Sequence, residues 1–438
     1  MLIEADKPLS QSLLWQIQNS YFHTAGIRAW QDDVVPHQIS CNPFMARAYA
    51  NLITAYIQDL GDSLNHDEPI YIIELGAGSG RLTFHLMHQL EEMWADLSPF
   101  RFVLTDYTAD LLHFWQIHPQ LQPYITSGQL DFALFDATQP APLKLHNSQQ
   151  EVTPQTADNP IILLGNYFFD SIPQDSFVIK QNELHSNLLS LYSTQAEPDL
   201  NDVTLWERLT LAYEPLPLDT PYDNPLYNEI LFDYEQLPDT SITFPNIGLD
   251  CLQFWLEASN LLLLTADRGH THAIDLLDQP DPLPNLHGSF SMMVNYHAMT
   301  EFIERSGGRA FYPPHYQDQI QTLAYIWPDK SNTQATFEHT FRQTICQNGP
   351  SDYFSLRTQL LSQIPEMQLP QFLSLMRWSA GDPDLLRVAL DHLPYWLAQY
   401  PAWTQDTIEM LQQVHDQYLQ LGENDRLPLL IEQRLGDM

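Results

Sequence analysis

The stretch YIIELGAGSGRL, residues 71–82, constrains this chain more than any other. A run of apolar residues meets a carboxylate, Glu74. Glycine then recurs on alternate positions, Gly76, Gly78 and Gly80, and an amphipathic segment follows. Such a pattern predicts a buried strand that turns sharply into a helix. Glycine allows the turn and lets a ligand approach the backbone. The rhythm continues through residues 68–180. EPIYIIEL, FRFVLTDY, LDFALFDA and NPIILLGNYFF read as strands, and RLTFHLMHQLEEMWADL and TADLLHFWQIHPQL as helices. Strands alternating with helices predict βαβ units in a parallel sheet, with apolar strands buried on both faces.

The flanks read differently. Residues 1–64 are predicted helical. Leu13, Leu14, Ile17 and Phe22 fall near helical spacing, as do Phe44, Ala48, Leu52 and Tyr56. Asn42 followed by Pro43 is a helix start. Residues 181–250 break the βα rhythm and read as an insertion packed on the sheet, extended through VTLWERLTLAYEPL and turn-rich through PLDTPYDNPLYNEI. Residues 251–328 resume it: a helix through LQFWLEASN, a strand LLLLTAD, a helix through YHAMTEFIERSG and a last strand QTLAYIW. From 335 to 438 the chain reads as stacked helical hairpins. They are tetratricopeptide-like in character, without a clean repeat period. The stretch PDKSNTQ, residues 328–334, is the expected boundary. The expected organisation is therefore a helical segment 1–64, an α/β domain 65–330 with its insertion, and an all-α domain 335–438.

Charge narrows the partners. The 438 residues carry 18 Lys and Arg against 55 Asp and Glu, a formal net charge of −37. Nucleic acid and anionic membranes need a basic surface and are not expected. A basic protein partner is compatible, and solubility alone also accounts for the charge. Cys41, Cys251 and Cys346 form neither a CxxC pair nor a disulfide framework, which fits a reducing compartment. The opening MLIEADKPLSQSLLW lacks the features of a signal peptide, and no apolar run reaches bilayer length, so a cytoplasmic protein is expected. His270 and His272 lack further ligands at familiar spacing, so no metal is expected. The oligomeric state is not legible.

The glycine loop departs from the dinucleotide pattern GxGxxG, because Arg81 stands at the third glycine position. Glu74 before the turn would repel a pyrophosphate and attract a cationic ligand. S-adenosylmethionine, with an ammonium, a sulfonium and no phosphate, suits this loop better than NAD. A purely structural glycine turn or another Rossmann ligand stays open. Asp106 ends the second strand, where an acid can accept from both ribose hydroxyls. Asp136 ends the third and can accept from an adenine amino group. Each alone is compatible with a turn or N-cap aspartate. Three acids at three successive strand ends together favour a ligand.

GNYFFDSIPQDSFVI, residues 165–179, resembles the characteristic strand of the MidA-type S-adenosylmethionine-dependent methyltransferase family. Its mitochondrial members are a complex I assembly factor acting on arginine. Asn166, Phe168, Phe169, Asp170 and Pro173 match; Tyr167 stands for the family's Glu and Gln174 for its usual Val. ISCNPFMARAYANLI resembles the segment before the Rossmann domain. LLLLTADRGH, residues 261–270, is similar to the family's Asp-Tyr-Gly strand, with Arg268 for Tyr. HGSFSMMVNYHAM resembles the segment that follows, with Asn295 and Tyr296 for Asp-Phe. The resemblance covers about residues 12–328. It implies a class I methyltransferase fold, a Rossmann-like α/β sheet binding S-adenosylmethionine.

In that fold Glu74, Gly76, Ala77, Gly78 and Gly80 are expected to hold the methionine part, Asp106 the ribose and Asp136 the adenine, with Tyr107 and Ala137 as further cofactor-binding candidates. Asn166 adjoins both cofactor and methyl. Tyr167, Asp170, Asp267 and His270 complete the catalytic candidates. A glutamate at 167 would clamp or deprotonate a guanidinium, which Tyr167 does poorly at neutral pH. The expected activity is methyl transfer to a protein, on arginine or another side chain. The alternative is a non-catalytic assembly protein on the same fold.

Overall fold

The computed structural model describes residues 1–438 except 32–34, 36–37, 197–198, 200–201, 203–204, 219, 288, 329–333 and 423. Most of the expected boundary at 328–334, and part of VTLWERLTLAYEPL, therefore lie outside the described residues.

The architecture is mixed α/β around a mostly parallel sheet. Its seven strands are β1 (Ile70–Glu74), β2 (Phe100–Asp106), β3 (Leu130–Leu134), β4 (Ile161–Asn166), β5 (Leu261–Asp267), β6 (Arg309–Phe311) and β7 (Gln321–Trp327). Across the sheet the order is β6-β7-β5-β4-β1-β2-β3. Strands β1 to β5 run parallel. β7, expected within a parallel sheet, is antiparallel to both β5 and β6, and β6 was not anticipated at all. Three residues form β6, too few to show a period.

Strand order reverses beside β1, between β2 and β4. The carboxyl ends there splay into a crevice. The sheet is buried on both faces. Ile72, Phe102, Ile162 and Leu262 point to one cluster, and Ile73, Val103, Leu163 and Leu263 to the other. This is the two-sided burial that the unbroken apolar strands implied.

The helix Pro43–Leu60 covers the first face, and its start is as expected. The Asn42 side chain accepts from the Met45 N–H at 3.0 Å, and Pro43 occupies the first turn. The expected all-helical residues 1–64 are corrected at their beginning. Leu2–Lys7 is a strand paired antiparallel to Glu183–Ser193. The insertion is also more regular than predicted. Asp175–Lys180, Glu183–Ser193, Leu209–Pro217 and Thr240–Phe244 join Leu2–Lys7 in a second, antiparallel sheet. Within the stretch read as turns, Pro225–Asp233 is a helix capped by Asn224, whose side chain accepts from the Leu226 N–H. Pro225 sits in that helix's first turn, where proline is tolerated.

The C-terminal helices have unequal lengths. Pro350–Gln363 and Thr404–Gln417 have 14 residues, Leu369–Trp378 and Leu427–Gly436 have 10, and Pro383–Ala389 and Leu393–Gln399 have 7. They enclose their own apolar cluster, yet Phe337, Phe341, Leu419 and Leu421 belong to the core of the main sheet. Phe337 lies against Tyr56 and Phe311, and its N–H donates to Asp59. No described helix is long and apolar enough to cross a membrane.

Because Phe337 is fully buried at this junction, Phe337→Ala should cost about 3–5 kcal/mol. Chemical denaturation followed by far-UV circular dichroism should show an earlier midpoint for the whole transition. Loss of the C-terminal helices alone, with the sheet signal unmoved, would contradict the joint core.

Candidate functional site

The carboxyl ends of the parallel strands carry polar residues where apolar runs stop. Glu74, Asp106, Asn166 and Asp267 are the last residues of β1, β2, β4 and β5. Asp136 follows β3 by two residues. Above these ends lies a cavity of about 540 Å³. Of the expected site residues, Glu74, Gly76, Ala77, Gly78, Asp106, Tyr107, Asp136, Ala137, Asn166, Tyr167 and Asp170 line it. The sequence thus brought together the residues of one wall.

The glycine loop is shaped by its neighbours. Gly76, Gly78 and Gly80 all have positive φ. At Gly78 a Cβ would stand 2.5 Å from the indole of Trp30. At Gly76 it would meet the Phe168 ring at 3.1 Å. Gly80 turns the chain into the helix Arg81–Trp94 and packs on Leu104 and Trp115 beneath the loop, away from the cavity wall, so it shapes the loop without lining the site.

Glu74 is buried. Its Oε2 accepts from the Thr83 hydroxyl at 2.6 Å and the Thr83 N–H at 3.2 Å, in the first turn of that helix. Burial pushes its carboxyl up to about 7, against the pull of those hydrogen bonds. Asp106 is also buried. Its Oδ1 accepts from the Thr108 N–H and hydroxyl, and its Oδ2 from the Gly78 N–H at 3.4 Å, so it ties the second strand to the glycine loop. Burial raises its pKa as well. Tyr107 buries a hydroxyl with no partner among the described residues. Asp136 is exposed, and its Oδ1 accepts from the Thr138 N–H and hydroxyl. It is therefore a turn aspartate and a cavity residue at once.

The Asn166 amide is engaged within the protein. Its Oδ1 accepts from the Tyr49 hydroxyl at 2.6 Å, and its Nδ2 donates to the Ser40 carbonyl at 3.2 Å. Tyr167 has φ +51°, uncommon for a side-chain-bearing residue, and its N–H donates to the Ala266 carbonyl at 3.0 Å. Burial holds its hydroxyl protonated far above neutrality.

Two expectations need correction. Asp267 and His270 are absent from the described cavity wall. Asp267 is fully buried beneath it, where its Oδ2 accepts from the Phe169 N–H at 3.2 Å and the Tyr296 hydroxyl at 3.0 Å; its Oδ1 has no described partner. His270 follows in a short parallel bridge with Asn295, and burial lowers its pKa. Between them Arg268 reaches the cavity, and the chain turns away after it. Asp170, in contrast, lines the cavity and is hydrogen bonded by Ser171 at 2.8 Å. Burial raises both Asp170 and Asp267, and Asp267 is raised further by the Asp170 charge.

Other cavity residues escaped sequence reasoning. Trp15, Asn19 and Phe22 come from the helix Leu13–Ala25, and Trp30, Ile39, Ser40 and Cys41 from the segment after it. Asn285, His287 and Ser291 come from the short antiparallel strands Asn285–His287 and Ser289–Ser291, and Asp318 and Gln319 from the segment before β7. Cys41 and Ser291 sit within two of the quoted matching segments, a signal that was present. The aromatic cap carried none, since its spacing reads simply as an apolar helix face.

Comparison with known proteins gives remote likeness only. No family model and no curated protein matches the chain. Among solved structures, an uncharacterised protein from Burkholderia thailandensis is 12% identical over 71% of this chain and 73% of its own, with a TM-score of 0.44. A likely methyltransferase of that organism, bound to S-adenosylhomocysteine, is 11% identical over 70% of this chain and 81% of its own, with a TM-score of 0.41. Magnesium protoporphyrin IX methyltransferase from Synechocystis, also with S-adenosylhomocysteine, is 10% identical over 71% and 98%, with a TM-score of 0.31. Likeness this distant carries no weight for activity, which must be read from the cavity.

Glu74 is neutral in the folded chain through a window, from about 4.5 to about 7, where the unfolded chain ionises it. The folded state then binds the extra proton, so Glu74's stabilising contribution falls as pH rises through that window. Glu74→Gln should therefore gain stability relative to the parent between pH 5 and 8, by a few degrees in melting midpoint. A difference independent of pH would exclude the buried-acid account. Gly78→Ala should displace Trp30; intrinsic tryptophan fluorescence should change, whereas an unchanged spectrum would contradict their contact.

Proposed function

We propose that this chain is an S-adenosylmethionine-dependent methyltransferase. The observation that carries the proposal is the single cavity lined by Glu74, Asp106 and Asp136 together with the backbone of Gly76 and Gly78. Three acids from three successive strands face one space without a basic loop for phosphate. That donor set fits an ammonium, a ribose diol and an adenine amino group in turn. Phe135, Ala137 and Leu111 supply apolar surface around the Asp136 end.

The cofactor supplies a methyl already activated on a sulfonium. The protein's task is then alignment. Asn166, held by Tyr49 and Ser40, is a rigid floor and not a free acceptor of the substrate's proton. Tyr167 presents a protonated hydroxyl, fit to donate a hydrogen bond and unfit to serve as a base near pH 7. Asp170 is the cavity acid available to take a proton.

Asp170, Arg268, Asn285, His287 and Asp318 line the same cavity and are assigned here to the acceptor; a space of about 540 Å³ fits the cofactor with a small molecule or one extended side chain. A protein acceptor would have to enter as that single side chain. The net charge of −37 supports a basic partner outside the cavity as part of the same proposal. The departures at Tyr167 and Arg268 favour a second possibility, a non-catalytic binding protein; it predicts cofactor binding without turnover.

Calorimetric titration with S-adenosylhomocysteine should give binding, with NAD silent. Asp106→Ala should weaken it about 10- to 100-fold, the loss of hydrogen bonds to a charged group. An ammonium needs Glu74 ionised, so affinity should rise about tenfold from pH 6 to 8 and flatten in Glu74→Gln. No binding at any pH would sink the proposal.

A further inference from the structure

Among the described residues lining the cavity, Arg268 is the only Lys or Arg. It follows β5 directly, and its backbone is fixed, with its carbonyl accepting from the Val294 N–H at 3.0 Å. Its side chain is exposed and makes no ion pair and no side-chain hydrogen bond with a described residue. That is notable in a chain with 55 acidic residues and 18 basic ones, where most guanidinium groups find a carboxylate. Arg81, Arg305, Arg309 and Arg357 all do so.

The surroundings define what would pair with this guanidinium. Phe168, Ile172 and Pro173 line the same cavity and present apolar surface. An exposed guanidinium on a cavity wall can pair with an anion through charge-assisted hydrogen bonds. Its planar fork matches a carboxylate. Asp170, close enough for the Arg268 charge to act on it, and Asp318 on the same wall oppose a second negative charge. A monoanion is therefore favoured over a phosphate dianion.

Resting on the methyltransferase proposal, we propose that Arg268 is the acceptor-binding residue of this cavity, and that the acceptor is a small carboxylic acid with an apolar body. Its carboxylate takes both donors of the guanidinium fork, and its body lies along Phe168 and Ile172. Glu74, Asp106 and Asp136, which belong to β1, β2 and the turn after β3, are left for the cofactor, whereas Arg268 follows β5. A lone guanidinium on one strand end and acids on the others distinguish the acceptor's carboxylate from the cofactor's polar groups.

The test uses the full chain, with and without saturating S-adenosylhomocysteine. Benzoate, cinnamate and indole-3-acetate are compared with their neutral amides by saturation-transfer NMR and calorimetry. The carboxylates should bind at least tenfold tighter than the amides, and Arg268→Ala should remove that preference. Arg268→Lys should keep part of it, since the charge remains and the fork is lost. S-adenosylhomocysteine affinity should be unchanged in both variants. Equal binding of acids and amides, absence of binding by every acid, or benzoate binding unaffected by Arg268→Ala would overturn the inference. So would loss of S-adenosylhomocysteine binding in Arg268→Ala, which would give the guanidinium to the cofactor's own carboxylate. If the acids bind through Arg268 but S-adenosylhomocysteine does not bind the parent, the acceptor site stands and the methyltransferase proposal falls.

Discussion

The structure turns on a reversal of strand order beside β1. Strands on one side of the reversal send their connections over one face of the sheet, and those on the other side over the opposite face. The carboxyl ends at the reversal are left uncovered. Everything polar in the site is a consequence. Buried apolar strands cannot end in water-starved backbone, so their last residues carry groups that hydrogen bond: Glu74 to Thr83, Asp106 to Thr108 and Gly78, Asn166 to Tyr49 and Ser40.

Those hydrogen bonds are structural and still leave chemistry to spare. Glu74 spends one oxygen on Thr83. Asp136 spends one on its own turn. Their burial or placement also gives them a ligand-facing side. Burial raises the pKa of Glu74 and Asp106, while Asp136 stays exposed on the same cavity wall. Arg268 lines the same space and makes no ion pair with a described residue.

The N-terminal and C-terminal segments act on this site from outside the sheet. The helix Leu13–Ala25 and Trp30 roof the cavity, and Trp30 presses on Gly78. Leu419 and Leu421 enter the core of the main sheet. Arg81, the residue after the glycine loop, donates to the Leu419 carbonyl and pairs with Asp425 at 3.2 Å, while Gln31 donates to the Leu421 carbonyl. The C-terminal region is thus tied to the loop and to its roof, so it is part of the site's scaffold as well as a surface.

Much was legible from local sequence. The five parallel strands, the glycine turn, the Asn42 cap and the acids at three strand ends all follow from period, turn chemistry and composition, which act over a few residues. The reading failed where non-local pairing decides. Leu2–Lys7 is a strand because Glu183–Ser193 lies beside it, and β7 runs antiparallel because it inserts between β5 and the edge strand β6. The same holds at the site. The sequence could place Asp267 at a strand end but not beneath the wall, and it could name Arg268 as a departure but not show it unpaired. Which side chains share one cavity depends on contacts across hundreds of residues, and only the packed tertiary structure settles whether a charge meets a partner or is left facing a ligand.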